Sequence, residues 1–557
     1  MALSVNMVVA QDELPRDETL YVAGFQFGPP TSYNPLAYNG ATWPALNTHK
    51  QLYETLFVFN SVAGTLDPLL ASDLTWSDDG ISGVITLQEG TQWQDGEPLT
   101  AADVVFSFEL AQTNEDLYYS TFWDYVSEMT AGDDQTIEFT LNPDQVNPGI
   151  VNDFFARVDI VPEHIWAERT DGDTPVLQYD EQAPVGSGPY TVMDTSTERV
   201  VIERFDGYWG AEIYGLPAPR YVVHPIFSSN DAGNLALQRG EVDLSQQFAP
   251  QIWQMWEEDG LPVGTWFAEE PYHVPGNIPF LNINIHKPGL DNVAVRRALA
   301  YAINYPQIAA VAMSRYSAPA QPSIVLPSGG EAQFFNAEQA AELGWEYNPD
   351  RAREILEQEA GATMGADGIY VLPDGTRLGP YTLLSTFGWT DWNAAADLAA
   401  QSATEAGIEV FTEYPEYPLL LSSRNNGDFD LVVFSHSGAS PAQPWQRFHD
   451  VLDDRGVADF GEQAFWNWGR FSHPDVAALL DEAAATSDVD RLQELYTELD
   501  RIYQENIPAI PLMYRPLEFY EFNESVWCGF PTADNAVGLP LPERAALSIY
   551  NVISVCE

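Results

Sequence analysis

The sequence predicts a mixed α/β protein that contains a parallel sheet. The apolar spacing switches repeatedly between a period of two and a helical period along the chain. Between 381 and 434 the segments run strand (381–386), helix (394–404), strand (408–411) and apolar buried strand (429–434), an order that implies parallel pairing with right-handed crossovers. The 557 residues are 45% hydrophobic and 19% charged, so the cores should be large. A chain of this length should fold as about three to five structural units.

The elements follow in order. Residues 21–27 alternate as a strand, and Pro29-Pro30, Asn34-Pro35 and Asn39-Gly40 then mark a long polar loop ending at Trp43, a natural place for a binding residue. Residues 74–87 read as a hairpin turning at Asp79-Gly80. Thr100 is a plausible N-cap with Asp103 three positions on, and Val104, Val105, Phe108 and Ala111 put one apolar face on a helix of about three turns. Residues 137–141 form a strand. The run at 186–190 (GSGPY) lacks the Lys-Ser/Thr and the helix that a phosphate loop needs. A helix at 234–239 ends in Gly240 and precedes a strand at 242–244; a strand at 280–285 and helices at 293–303 and 351–358 follow. Ligand groups gather beyond the carboxyl ends of such strands, which here means 387–392 and 435–440, followed by Trp445.

Charge excludes whole classes of partner. The 82 acidic residues against 23 basic ones give a formal net charge of −59, which repels nucleic acid and anionic lipid. Lys50 and Lys287 are the two lysines. This composition fits a salty medium, where screening relieves self-repulsion, and equally a GC-rich genome. No run approaches the ~18 apolar residues of a membrane span. Residues 2–10 (ALSVNMVVA) resemble the clipped end of a secretory signal with 8–10 as its cleavage site, or else a frayed terminus; no cysteine for lipid attachment lies near them. Cys528 and Cys556 stand 28 residues apart. Either they form a bridge, as expected outside the cytoplasm, or they are two buried thiols.

Reaction chemistry is missing. There is no Gly-x-Ser-x-Gly elbow, no His-Glu-x-x-His and no Cys–His nucleophile pair. The eight histidines lack metal-ligand spacing, and the acidic turns at 171–173 and 450–454 lack the calcium-loop pattern. No cofactor or metal is expected, and no catalysis. Aromatic placement is more informative: Trp43, Trp253, Trp256, Trp389, Trp392 and Trp445 fall in loops or just beyond strands. An indole offers a flat face for the C–H side of a sugar ring and one N–H donor.

Eight segments in order resemble the family 5 solute-binding proteins of ABC importers, the oligopeptide- and dipeptide-binding group with its oligosaccharide-binding branch. They are 93–108 (WQDGEPLTAADVVFSF), 186–190, 238–243 (QRGEVD), Asn284 with 295–304 (VRRALAYAIN), Asn348-Pro349, 406–410 (AGIEV), 427–430 (GDFD) and 507–514. The resemblance implies a two-lobed periplasmic-binding-protein-like fold (type II, cluster C) with an extra inserted domain. It would place lobe I at 19–55, 188–285 and 512–557, the inserted domain at 56–187 and lobe II at 286–511, after a flexible N-terminus at 1–18. Asn284 and the 510 region would lie near the hinge.

The resemblance also implies an extracytoplasmic monomer that hands its solute to the transmembrane subunits of a permease. Peptide binders of the family commonly place an acidic residue after the strand matching 429–434 to pair the peptide's amino terminus; here 437–440 read Ser-Gly-Ala-Ser. A buried ammonium without that partner would cost several kcal/mol. A neutral ligand is therefore favoured, a short β-linked oligosaccharide, with a peptide as the alternative and glycoside hydrolysis as a remote one. The ligand-binding set expected is Phe27, Asn34, Trp43, Gln246, Gln247, Trp253, Asn284, Trp389, Trp392, His436, Ser437 and Trp445.

The charge itself yields a test. Raising salt from about 0.1 M to about 1 M shortens the screening length from roughly 10 Å to 3 Å. The thermal midpoint in differential scanning calorimetry should rise across that range; a midpoint that stays flat or falls would count against self-repulsion as a cost of folding.

Overall fold

The computed structural model describes residues 14–24, 32–37, 49–170, 175–227, 229–516 and 518–557. Three sheets position the rest. The first has seven strands in the order Val263–Thr265, Glu521–Asn523, Leu244–Ser245, Thr19–Ala23, Tyr221–Pro225, Arg199–Arg204 and Tyr190–Thr195. Thr19–Ala23 runs parallel to both of its neighbours, and its apolar residues Leu20, Val22 and Ala23 are buried, as befits a central strand. The sheet is therefore stitched from distant parts of the sequence.

The second sheet is antiparallel, in the order Ala71–Trp76, Ser82–Leu87, Thr136–Leu141 and Val126–Ala131. The expected hairpin turns at Asp79-Gly80, where Gly80 takes a φ of 68° that a side chain would resist. The helix Ala101–Thr113 covers the sheet. It starts where the sequence places it: the Thr100 N–H donates to Asp103 Oδ2 at 2.9 Å, and Val104, Phe108 and Ala111 are buried.

The third sheet carries the order Val410–Glu413, Tyr381–Leu384, Leu431–Ser435, Pro279–Ile283 and Ala509–Pro511. Its first three strands are parallel, as the strand–helix–strand order implies. Pro279–Ile283 is antiparallel to both of its neighbours, so the sheet is mixed. Phe280–Ile283 pair with Leu431–Phe434, so the segment just before the expected boundary at 285 is a strand of this sheet. Two helices also differ from the sequence reading. Thr390–Glu405 begins four residues early and takes in Trp392. Tyr417–Asn426 fills a stretch left unassigned; its buried residues are Leu420, Arg424 and Asn425, so an arginine occupies the next turn of the buried stripe and no apolar period betrays it.

One continuous core runs through all three sheets, and a second small core of Leu384, Leu420, Phe429, Val432 and Trp468 lies beneath Tyr417–Asn426. The chain passes between the first and third sheets along Pro275–Asn277 and returns along Arg515–Pro516, and these two short strands pair antiparallel. Cys528 and Cys556 are joined, with Cα atoms 5.1 Å apart, beside the small ladder Trp527–Cys528 with Ser554–Val555. Closing a 28-residue loop contributes roughly 3 to 4 kcal/mol on the chain-entropy account.

Candidate ligand cleft

One edge of the third sheet gathers the chemistry. The carboxyl ends of Tyr381–Leu384, Val410–Glu413, Leu431–Ser435 and Ala509–Pro511 all reach it, together with the amino end of Pro279–Ile283, which leads into the hinge strands. The loop after Leu431–Ser435 is tied to that hinge by the Ala439 N–H, which donates to Gly276 O at 2.8 Å.

Aromatic rings line this edge in sequence. Trp389 is 37% exposed at the cap of Thr390–Glu405, and Trp392, 4% exposed, follows in the first turn at 5.0 Å, edge to face. Trp389 lies 5.5 Å from Tyr417, Tyr417 stacks on Phe434 at 6.5 Å, and Phe434 meets Trp468 edge-on at 5.6 Å. Trp468 then stacks on His436 at 4.5 Å. His436 Nε2 lies 2.9 Å from Asn282 Oδ1. The Asn282 amide nitrogen donates to strand carbonyls, so Oδ1 is the acceptor, Nε2 is the donor and Nδ1 is unprotonated. Burial pushes the His436 pKa down to about 3, which keeps the ring neutral.

A buried carboxylate, Asp391, and a half-buried one, Asp450, already have partners at this edge. Asp391 Oδ2 accepts from Arg515 Nε at 2.8 Å, a bridge from lobe II to a hinge strand. Asp450 accepts from Ser437 Oγ at 2.8 Å and pairs with His449 at 3.0 Å. Burial opposes its ionisation, but His449 and Ser437 together hold its carboxyl below the ordinary range. Glu413, at the strand end, is exposed.

The expected residues are thus sorted by geometry. Trp389, Trp392, His436 and Ser437 come together on the edge. Trp445 is 7% exposed and packs on His449, with its N–H committed to Leu480 O at 2.8 Å. Asn34 is fully buried: its amide donates to Val176 O and Tyr179 O and its Oδ1 accepts from Leu36 N–H, so its polar atoms are committed to the 176–179 segment and its own loop. Asn284 is corrected as a hinge residue, because it sits at the far end of Pro279–Ile283 and holds Gly427 O and Phe429 O. Gln246 and Gln247 follow Leu244–Ser245 and are buried; Gln247 donates to Gly24 O and presses against Gly233. Trp253 is buried against Tyr272 and under Arg315. Phe27, Trp43 and the 171–173 turn lie outside the described residues.

Sequence reasoning missed Tyr417, Phe434 and Trp468, and it missed a cavity beside the hinge. That small, partly open cavity is lined by Ser61, Trp266, His273, Gly276, Glu518 and Tyr520 among others. Its titratable walls are uncharged. Burial, and then the charge of Arg515, lowers His273 to about 3, while burial with the neighbouring Glu543 raises Glu518 well above the carboxylate range. The aromatic doublet Trp466-Asn-Trp468 was the one signal in the sequence for this part of the edge.

This two-lobed α/β arrangement, with hinge strands between sheets and a polar, aromatic-lined edge, is that of a solute receptor. A family model described as bacterial extracellular solute-binding proteins, family 5, matches residues 65–457, and the chain belongs to that family. The glutathione-binding protein GsiB of Shigella dysenteriae is 30% identical over 479 residues, 84% of each chain. The dipeptide-binding protein of Escherichia coli K12 is 24% identical over 87% of each. In three dimensions the chain is similar to the periplasmic oligopeptide-binding protein of a Thermotoga maritima ABC transporter, solved with mannohexaose, at 29% identity and a TM-score of 0.84 over 98% of this chain and 99% of that one. It is accordingly the substrate-binding receptor of an ABC importer, in a family of extracytoplasmic, non-enzymatic binding proteins that work with permease subunits. Among the described residues no helix is long and apolar enough to cross a membrane.

The neutral His436 gives a pH test. Its lowered pKa favours the folded state above the unfolded value near 6.5, and that contribution is lost as pH falls toward 3. In NMR the His436 ring should show no titration between pH 5 and 8, and a midpoint near 6.5 would contradict its placement.

Proposed function

We propose that this receptor captures a short β-linked oligosaccharide in the cleft between its lobes and delivers it to the membrane permease. The observation that carries this reading is the lobe II edge, where Asp391 is ion-paired with Arg515, Asp450 is hydrogen-bonded by Ser437 and His449, and Trp389 and Tyr417 present exposed ring faces. A peptide's ammonium would find no free buried carboxylate there. A sugar ring would find stacking faces and the hydroxyls of Ser437 and Ser440. The mannohexaose bound to the Thermotoga relative supports it. Trp389, Trp392, His436 and Ser437 are the ligand residues of this reading, with Trp266 and Glu518 on the opposite side of the hinge. The chain works as a monomer exported by a signal peptide, its lobes closing about Pro275–Asn277 and Arg515–Pro516.

A peptide ligand is the second reading, favoured by the names of the dipeptide- and glutathione-binding relatives. Calorimetric titration separates the two. Cellobiose, xylobiose, mannobiose and laminaribiose are titrated beside a mixed-tripeptide pool, and binding heat is expected from at least one saccharide. Tight peptide binding with no heat from any sugar would overturn the proposal.

A further inference from the structure

Arg424 is a buried cation without an anion. It projects from Tyr417–Asn426 at 7% exposure, with its guanidinium carbon 4.0 Å from the ring centre of Phe434 and 4.0 Å from that of Trp468. Nε and Nη2 both donate to Asn425 Oδ1, at 2.9 and 2.7 Å, and among the described residues Nη1 has no acceptor. No carboxylate of the described residues lies within ion-pair distance. Asp450 acts on it only at longer range, with its oxygens held by Ser437 and His449.

This is unusual for a chain with 82 acidic residues. Of the other buried arginines, Arg447 pairs with Glu331 and Arg544 with Asp159, while Arg296 has no carboxylate in ion-pair distance among the described residues and all its nitrogens donate to the carbonyls of Leu290, Asn506 and Ile507. Ring faces return only part of what it costs to take a guanidinium out of water. Burial lowers the Arg424 pKa only to about 10, so the charge persists at neutral pH. Its charge also reaches the phenol of Tyr417, which is 41% exposed and touches Trp389, so the cation adjoins the open rings of the edge.

We propose that Arg424 receives a carboxylate of the ligand, and that the ligand is therefore an acidic oligosaccharide bearing a uronic acid. This rests on the saccharide reading above. No acidic residue stands within 437–440 itself, and the Asp450 carboxylate that reaches Ser437 is already held by Ser437 and His449. A carboxylate on Nη1 would complete the guanidinium's hydrogen bonding while the neighbouring sugar ring lies on Tyr417 and Trp389.

The test needs only the wild-type protein and paired ligands. Calorimetry compares cellobiouronate with its methyl ester and with cellobiose, and a tripeptide with its C-terminal amide. The free acid should bind about tenfold or more tightly than its ester, the usual effect of one hydrogen bond to a charged group. In Arg424→Gln that ratio should fall to near one, with Arg424→Lys intermediate. Equal affinities for acid and ester in the wild type would overturn this inference while leaving the saccharide reading intact. Binding of the tripeptide alone, weakened by amidation, would overturn both.

Discussion

The structure depends on one pairing, the antiparallel contact of Pro275–Asn277 with Arg515–Pro516. Each strand carries the chain between two large sheets, so the pairing fixes how those sheets face each other. Two further contacts converge on it. Ala439 N–H donates to Gly276 O, and Arg515 bridges to Asp391 at the start of a lobe II helix. The loop and the helix that carry the aromatic edge are therefore both tied to these paired strands. Backbone also approaches backbone closely where Gly64 meets Gly330 and Gly149 meets Ala442; a Cβ at Gly330 would lie 2.9 Å from Gly64 Cα.

Much of the fold was legible because local rules and tertiary structure agree. The Thr100–Asp103 capping box, the Asp79-Gly80 turn and the strand–helix–strand order of 381–434 all appear as the sequence predicts. The candidate site was less legible. Trp389, Trp392, His436 and Ser437 were found by a rule about strand ends, which topology honours. The same rule also offered Trp445, and Asn34 and Asn284 were chosen beside it, but sequence cannot show that their donors are committed to backbone carbonyls more than a hundred residues away or one helix over. Arg424 was invisible because its helix has no apolar period; its meaning comes from Phe434 and Trp468, brought to it by the sheet and a distant loop.

The net charge of −59 takes on a sharper role beside that arginine. Spread over a solvated surface, the acids exclude polyanions and disfavour any anionic ligand at long range. Within the edge the balance reverses. Asp391 is paired with Arg515, Asp450 is hydrogen-bonded by Ser437 and His449, His436 is neutral, and Arg424 has no carboxylate within ion-pair distance among the described residues. Affinity there is set by short-range geometry in a poorly solvated place, where a single unpaired cation outweighs a screened surface field.

The central claim is that ligand binds on the lobe II edge against the hinge. A crystal structure of the protein with a bound cello-oligosaccharide tests it most directly. The account predicts a sugar ring against Trp389 and Tyr417, with hydroxyls at the loop 437–440. A ligand lodged away from this edge would contradict it.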